Sequence, residues 1–171
     1  MKLVVISDIH GRADLLDRIM LIHGDRDGTL FLGDGTRDIG VARLTVGGRL
    51  FAGVRGNCDP VFAKSQEYDY DEELLLNIGE YTVIMMHGHA HGVKSGIERA
   101  VAYAAGRRAD ILLYGHTHAP AEIYYPEGSE LGGIRLQKPM WVMNPGSLAD
   151  GSYGLLQIKG KNVLISHGKI K

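Results

Sequence analysis

The sequence predicts an α/β fold in which two mixed β-sheets pack as a sandwich flanked by helices. In the first part of the chain, short apolar runs alternate with an apolar pattern at helical spacing, which is typical of parallel βαβ units. The last third is rich in short strand patterns, which favours antiparallel pairing and hence a mixed architecture. From 171 residues and 44% hydrophobic composition we expect a single domain over residues 1–171.

The first half of the chain predicts three strands and one clear helix. Short apolar and β-branched runs indicate strands over residues 3–6, 29–32 and 50–54. Residues 12–23 carry leucine, isoleucine and methionine at helical spacing, which predicts an amphipathic helix. The mixed stretch over 34–48 is interpreted as a loop with room for a further helix.

The second half begins with a predicted β-hairpin. Two strand patterns, 73–78 and 81–86, are separated only by Gly79 and Glu80. A helical apolar pattern follows over 93–105. The remaining strands are expected over residues 111–114, 122–125, 134–136, 141–143, 154–158 and 163–166.

Charge, hydropathy and cysteine content exclude several classes of partner. The net charge is −1 and charges of both signs are interspersed, so nothing favours a nucleic-acid surface or an anionic membrane. No apolar stretch approaches the length that crosses a bilayer. Cys58 is the only cysteine, which excludes an internal disulfide and favours a reducing, cytoplasmic location.

Residues of metal-ligand type directly follow five of the predicted strands. Ligands of an α/β sheet bind outside the carboxyl ends of the strands, where loops converge, so we expect these side chains to point at one place. The five segments are SDIHG (7–11), GDG (33–35), GNCD (56–59), HGH (87–89) and GHTH (115–118).

The residue types indicate two metal ions rather than one. Oxygen and imidazole ligands without a required thiolate suit Mn, Fe, Co, Ni or Zn, and seven candidates are too many for one ordinary ion. In an extended backbone Asp8 and His10 share a face, as do His116 and His118. A single bridging carboxylate would hold two ions about 3.5–4 Å apart. The candidates are Asp8, His10, Asp34, Asn57, His87, His116 and His118.

Each candidate also has a simpler interpretation on its own. Asp8 could cap the following helix, and Asp34 or Asn57 could be turn residues. His87 could be structural, and the two later histidines could be ordinary loop residues. Because all of these residues follow apolar runs, their joint convergence is favoured over five separate explanations.

The motifs SDIHG, LGDGTRD, RGNCD, MHGH and YGHTH, in this order, resemble the signature of the calcineurin-like metallophosphoesterases. The NPGS segment at 144–147 extends the match, and the short chain with GNCD is similar to the small prokaryotic phosphodiesterase branch. The resemblance implies the metallophosphoesterase fold. It also implies that Asp8, His10 and His118 hold one ion, that Asn57, His87 and His116 hold the other, and that Asp34 bridges both.

The activity that the resemblance implies is hydrolysis of a phosphoester, with a phosphodiester as the expected substrate. A hydroxide bridging two divalent ions would attack phosphorus in line, and the ions would neutralise charge in the transition state. Manganese is the expected metal, with nickel, cobalt, zinc or iron as alternatives. Asp34, Asn57 and His89 are the expected catalytic residues.

Cys58 departs from the pattern of the larger relatives, in which a histidine commonly follows the asparagine ligand and protonates the leaving group. A thiol is a poor acid for that task near neutral pH, so the identity of the general acid stays open. His89 is a candidate, and a supporting hydrogen bond or a plain loop position is the alternative. Three arginines adjoin the motifs, and each could either contact phosphate or be an ordinary surface residue: Arg12, Arg37 and Arg55.

Two alternative functions accompany this prediction. One is a phosphomonoesterase, including a protein phosphatase. The other is a scaffold similar to the retromer subunit of this fold, in which the metal site is degraded; seven filled ligand positions favour an enzyme. A homo-oligomer is also expected through edge strands near Tyr124, Tyr125 and Trp141, although these aromatic residues could instead fill the core.

Overall fold

The computed structural model describes residues 1–42, 50–60 and 70–171, and two five-stranded sheets form its framework. Strand patterns at both ends of the chain meet in the first sheet, where three parallel strands are extended by an antiparallel pair. The strand order is β12-β11-β1-β2-β3. These strands are β1 (Lys2–Ile6), β2 (Gly28–Phe31), β3 (Leu50–Gly53), β11 (Ser152–Lys159) and β12 (Asn162–Lys169).

The second sheet is built from the middle of the chain. Its three central strands are parallel and its two edge strands are antiparallel to their neighbours. The order is β4-β5-β6-β10-β7, and a separate two-stranded ribbon joins β8 (Glu130–Leu131) and β9 (Ile134–Arg135). The strands of the second sheet are β4 (Glu73–Ile78), β5 (Tyr81–Met86), β6 (Ile111–Tyr114), β7 (Ala121–Tyr125) and β10 (Met140–Asn144).

The alternation of side chains along β1 explains how the layers pack. Leu3 and Val5 face the second sheet and lie in one buried cluster with Met85. Val4 and Ile6 face the other way, against the apolar stripe of the first helix. The two sheets therefore enclose a shared core, and the outer face of the first sheet is covered by a helix.

Three α-helices lie in the described ranges, and two of them cover the outer faces of the sheets. Helix α1 (Ala13–Ile22) packs on the first sheet, and α3 (Glu98–Gly106) packs on the second through Ala100, Val101 and Ala104. The short α2 (Thr36–Val41) follows β2. Short 3₁₀ turns at His89–His91 and Leu148–Asp150 complete the layers. Among the described residues, no helix has the length and apolar character needed to span a membrane.

The predicted fold class is confirmed: two mixed sheets form a sandwich with helices outside. The hairpin over 73–78 and 81–86 has the predicted bounds. The helix predicted over 93–105 was wrong in its first turn, because α3 begins at Glu98. Gly92 and Gly96 have positive φ angles of 66° and 145°, which an α-helix does not contain.

The region predicted as a loop with room for a helix, 34–48, contains α2 in its first part; residues 43–49 lie outside the described residues. The strand predicted over 134–136 is shorter, because β9 pairs only with the two-residue β8. The last two strands are longer than predicted, since β11 and β12 pair over eight residues each.

Candidate metal centre

Five loops that follow parallel strands bring the predicted ligands to one place. Three of the strands, β1, β2 and β3, belong to the first sheet, whereas β5 and β6 belong to the second. The two sheets are joined at this edge by a hydrogen bond from His87 Nδ1–H to the carbonyl oxygen of Leu32 at 2.7 Å. All seven predicted ligands lie on these loops.

His87 is the centre of one group of ligand atoms. Its Nε2 lies 3.2 Å from Asn57 Oδ1, 3.3 Å from Asp34 Oδ2 and 3.2 Å from His116 Nδ1. Such separations are those of neighbouring ligands around one ion with bonds of about 2.0–2.2 Å. The His87 Nδ1–H bond to Leu32 fixes the tautomer, so the Nε2 lone pair points into the group.

Asp8 is the centre of a second group. Its Oδ1 lies 3.1 Å from His118 Nε2 and 3.7 Å from His10 Nε2. This oxygen is fully buried yet has no hydrogen-bond partner among the described residues. A buried carboxylate oxygen without a donor is costly in an ordinary interior but suits a cation site, so the residues fit a metal ion.

Asp34 lies between the two groups. Its Oδ2 is 3.3 Å from His87 Nε2 in one group and 3.9 Å from His10 Nε2 in the other. Its Oδ1 accepts a hydrogen bond from the backbone N–H of Cys58 at 2.7 Å. The structure thus brings together all seven predicted ligands and gives Asp34 the intermediate position.

The backbone of the ligand loops corrects one expectation. Asp8, His10, His116 and His118 were expected to share faces because their backbone is extended, but all four have positive φ angles, between 46° and 67°. Asp34 has a φ of 59°. A positive φ is unfavourable for residues other than glycine and persists only where the surroundings enforce it, which is common at functional sites.

Asp59 enforces the conformation of the Asp34 loop. Its buried carboxylate accepts five hydrogen bonds, from the backbone N–H groups of Asp34, Gly35, Thr36 and Gly56 and from the Thr36 hydroxyl, at 2.7–3.0 Å. One side chain therefore ties the loop after β2 to the loop after β3. No role was predicted for Asp59 from the sequence, where it appears only as the last residue of the GNCD motif.

The first and last ligand loops are held by the NPGS segment. Asn144 Nδ2 donates to Gly115 O at 2.9 Å and to Thr117 Oγ1 at 3.0 Å, which supports the loop of His116 and His118. The Ser147 hydroxyl donates to the backbone oxygen of Asp8 at 3.0 Å. These supporting residues were missed, because their partners are backbone groups of loops distant in sequence.

Position 115 requires glycine because Ser7, in the loop after β1, lies very close to its backbone. A Cβ at this position would lie 2.0 Å from the hydroxyl oxygen of Ser7. That hydroxyl donates to Asp8 Oδ2 at 2.6 Å, and the backbone N–H of His116 donates to the same oxygen at 3.1 Å. Both bonds engage Oδ2 and leave Oδ1 for the centre.

The pKa values of His116 and Asp34 favour the forms of these side chains that bind a metal ion. Burial lowers the pKa of His116 to about 4, helped by the charges of His87 and Lys94, so its imidazole is neutral at pH 7. Burial alone would raise the pKa of Asp34, but the bond to His87 and its charge outweigh this and hold it well below its usual range. Burial opposes charge on His87 too, yet the two aspartates raise its pKa. Without an ion, a protonated His87 partly takes the place of the cation.

Cys58 and His89 lie beside the centre. The Cys58 thiol is exposed and accepts a hydrogen bond from Asn57 Nδ2 at 3.3 Å; desolvation and the neighbouring Asp34 raise its pKa. The ring of His89 lies 5.5 Å from that of His87 and 6.1 Å from that of His116, between centroids. Burial and the charge of His87 lower the pKa of His89.

Two open clefts adjoin the centre on different sides. The first, about 380 Å³, runs from His10 and Asp34 past Cys58. The second, about 500 Å³, begins at His118 and is lined by Asp150, by Ser152 at the start of β11 and by residues of β12, among them Lys169. The centre is thus reached from both sides by space for a ligand.

Comparison with known proteins agrees with this geometry. A family model described as the calcineurin-like phosphoesterase superfamily domain matches residues 1–161. The probable metallophosphoesterase YsnB of Bacillus subtilis (strain 168) is 30% identical over 149 residues, which cover 86% of this chain and 75% of that protein. The phosphodiesterase YfcE of Escherichia coli (strain K12) is 28% identical, with 91% of this chain and 87% of that protein covered.

The structure also resembles that of another solved protein. Wild-type Vps29 from Entamoeba histolytica, complexed with Zn²⁺, superimposes with a TM-score of 0.66 at 22% identity, over 99% of each chain. At this identity the likeness shows the shared fold alone.

Proposed function

The chain belongs to the calcineurin-like phosphoesterase superfamily, and from that premise we propose that it is a phosphodiesterase that works with two divalent metal ions. The observation that carries the proposal is two neighbouring ligand groups, Asp34–His87–His116 and Asp8–His10–His118, with Asp34 Oδ2 3.9 Å from His10 Nε2 of the second group. In that second group the buried Asp8 Oδ1 lies 3.1 Å from His118 Nε2 but accepts no hydrogen bond among the described residues. Such a centre suits metal-assisted ester hydrolysis.

We assign the ligands as two sets with Asp34 common to both. His87 and His116, with Asn57, would hold one ion, and the Asp8 group would hold the other. When bound, two such ions supply Lewis-acid chemistry: they generate a nucleophile from water near neutral pH and neutralise charge on the phosphoryl group. We propose manganese as the metal, with nickel, cobalt, zinc or iron as alternatives; all of these accept oxygen or imidazole ligands.

The remaining chemistry falls to side chains of this chain. The low pKa of His116 keeps its imidazole neutral, and the Nδ1–H bond of His87 to Leu32 turns its Nε2 toward the centre. We assign His89 as the residue that contacts the phosphoryl group or the leaving oxygen. Because burial lowers its pKa, it would act at neutral pH as a neutral N–H donor. Cys58 stays a protonated thiol and supplies no strong acid.

The two clefts support a diester over a monoester as substrate. A phosphodiester carries two substituents, and a cleft begins at ligand residues on each side of the centre. A monoester would leave one cleft without a substituent, which wastes binding energy that a diester uses. The activity of the relative YfcE, a phosphodiesterase by name, points the same way.

The test is a metal-reconstituted activity panel. The protein is stripped of metal, loaded with Mn²⁺, Ni²⁺, Co²⁺, Zn²⁺, Fe²⁺ or Mg²⁺, and assayed on bis(4-nitrophenyl) phosphate and 4-nitrophenyl phosphate. We expect hydrolysis only with metal, the highest kcat/KM with Mn²⁺, and a preference for the diester. A higher kcat/KM for the monoester would favour a phosphomonoesterase, and no turnover with any metal would favour a scaffold.

We also propose a homodimer through the edge of the second sheet. β7 is an edge strand, and Tyr124 on it is 52% exposed although its ring packs 5.1 Å from that of Trp141. An exposed aromatic on an unpaired edge suits a self-complementary contact. Sedimentation at micromolar concentrations should give a dimer mass that Tyr124→Lys converts to a monomer.

The free thiol of Cys58 supports a cytoplasmic location.

A further inference from the structure

The structure separates the three arginines that adjoin the motifs. Arg12 donates two hydrogen bonds of 2.8 Å to the carboxylate of Asp14, and Arg55 donates one of 2.7 Å to Glu72. Their charges are therefore compensated by carboxylates of this chain. Arg37 is exposed and has no such partner within the described ranges. Of the three, only Arg37 has a guanidinium available to a ligand.

Arg37 lines the first cleft, which begins at the metal centre. The cleft of about 380 Å³ contains the ligand residues His10 and Asp34 at one end, and Arg37 on its wall. It is large enough for a substituent such as an aromatic ring or a sugar next to a phosphoryl group. A substrate bound at the centre would thus extend one substituent past this side chain.

The carboxylates that share the cleft with Arg37 are already engaged. Asp59 accepts hydrogen bonds from four backbone N–H groups and one hydroxyl. Asp38 accepts one from the backbone N–H of Gly11 at 3.0 Å. Neither pairs with Arg37, so among the described residues its charge on the cleft wall has no ionic partner.

We infer that Arg37 is a specificity-determining residue that binds an anionic group, a carboxylate or a phosphate, on one substituent of the phosphodiester. A guanidinium presents a planar fork of donors that matches the oxygens of both groups. The inference rests on the proposed function for the position of the phosphoryl group. It adds that the substrate carries a second negative charge on the arm that enters the first cleft.

Equilibrium binding of matched phosphonates tests this inference without turnover. The probes are phenylphosphonate, its 3-carboxy and 4-carboxy derivatives, and 1,4-phenylenediphosphonate, titrated by calorimetry into Mn²⁺-loaded protein. The native protein should bind at least one of the probes that carry a second anionic group about tenfold more tightly than phenylphosphonate. Comparison of the carboxylates with the diphosphonate identifies the preferred oxyanion.

Substitutions assign that preference to one side chain. Arg37→Gln should reduce the affinity ratio between the probes with two anionic groups and phenylphosphonate to near one, and Arg37→Lys should keep part of it. Using a ratio cancels any change at the metal end of the probe. Arg12→Gln is the matched control, because it removes an arginine that is paired with Asp14, and it should leave the ratio unchanged.

The outcomes distinguish this inference from the proposed function. A ratio of one in the native protein, or a ratio that persists in Arg37→Gln, overturns the role of Arg37. Hydrolysis of bis(4-nitrophenyl) phosphate, measured on the same samples, reports separately on the phosphodiesterase activity. A protein that prefers the probes with two anionic groups but hydrolyses nothing would retain the Arg37 site and lose the proposed function.

Discussion

Asp59 and Asp34 lie on loops that follow different strands, and the Asp59 carboxylate accepts a hydrogen bond from the backbone N–H of Asp34 at 2.7 Å. The same carboxylate also binds Gly35 and Thr36, so it stabilises a backbone in which Asp34 has a φ of 59°. The position of Asp34 therefore depends on Asp59. The hydrogen bonds of Asp59 reach backbone N–H groups and the Thr36 hydroxyl, and none of them reaches the side chain of a predicted ligand.

Asp59→Asn should weaken metal binding without removing a ligand. The amide replaces one accepting oxygen with a donor that faces N–H groups, so the Asp34 loop loses part of its support. We expect Mn²⁺ affinity to fall roughly 10–100-fold, as for other partners that orient metal ligands. Free Mn²⁺ measured by electron paramagnetic resonance gives the affinity, with Asp25→Asn as a surface control. Unchanged affinity would show that Asp59 serves only the fold.

Gly115→Ala should destabilise the protein, because the new Cβ would lie 2.0 Å from the Ser7 hydroxyl oxygen. Overpacking of this kind costs about 1–3 kcal/mol of unfolding free energy. The matched control is Gly106→Ala at the end of α3, where a Cβ meets nothing within 4 Å. That change should stabilise the protein by about 0.5–1 kcal/mol, since alanine is the better helix former. Urea unfolding measures both, and equal effects would contradict the steric argument.

Glu73 should contribute stability that disappears in acid. Its carboxylate accepts hydrogen bonds from Tyr103 and His91. Burial opposes its charge, but these bonds prevail and lower its pKa below the ordinary 4.5. A depressed pKa means that the contribution is complete above the unfolded pKa and is lost as the pH falls through the folded one.

The measurement for Glu73 is thermal unfolding of the native protein and of Glu73→Gln, with chelator present to remove metal effects. At pH 7 the variant should be less stable by about 1 kcal/mol. The difference should shrink steadily below pH 4.5, where the native carboxyl becomes neutral as well. A difference that stays constant down to pH 3 would mean that the charge of Glu73 is irrelevant.

Cys58→His should change how the rate depends on the leaving group. The raised pKa of the thiol makes it a poor acid, so native kcat should fall steeply with rising leaving-group pKa across a series of aryl and alkyl diesters. If the imidazole reaches the leaving oxygen, alkyl esters should gain most, since general acid catalysis supplies roughly 10²–10⁴-fold. A flat native dependence, with chemistry rate-limiting, would reveal another acid; His89→Ala would then test whether it is His89.

The sequence predicted the fold class and the convergence of seven side chains because both depend on local patterns. Apolar runs mark strands, and each candidate ligand directly follows such a run. The left-handed backbone at Asp8 and His10 was not predictable from alternation, because the surrounding loops impose it. Sequence spacing predicted the right neighbours for a wrong geometric reason.

The sequence did not predict which residues support the ligand loops, or which carboxylates pair with the arginines. Asp59, Asn144 and Ser147 bind backbone groups of distant loops, and a backbone partner leaves no signal in residue type. The pairing of the arginines was not predictable either, since Arg55 pairs with Glu72, a residue 17 positions further along the chain. Only the folded structure distinguishes a compensated charge from a free one.

The central claim of the proposed mechanism is that Asp34 is the shared ligand of two metal ions. The decisive measurement is a Mn²⁺ titration of the native protein and of Asp34→Asn, followed by electron paramagnetic resonance, with Asp14→Asn as a surface control. We predict two tightly bound ions per native chain that are magnetically coupled, and loss of the coupling with weaker binding of both ions in Asp34→Asn. Two tightly bound ions with unchanged coupling in the variant, or a single ion in the native chain, would contradict the shared centre.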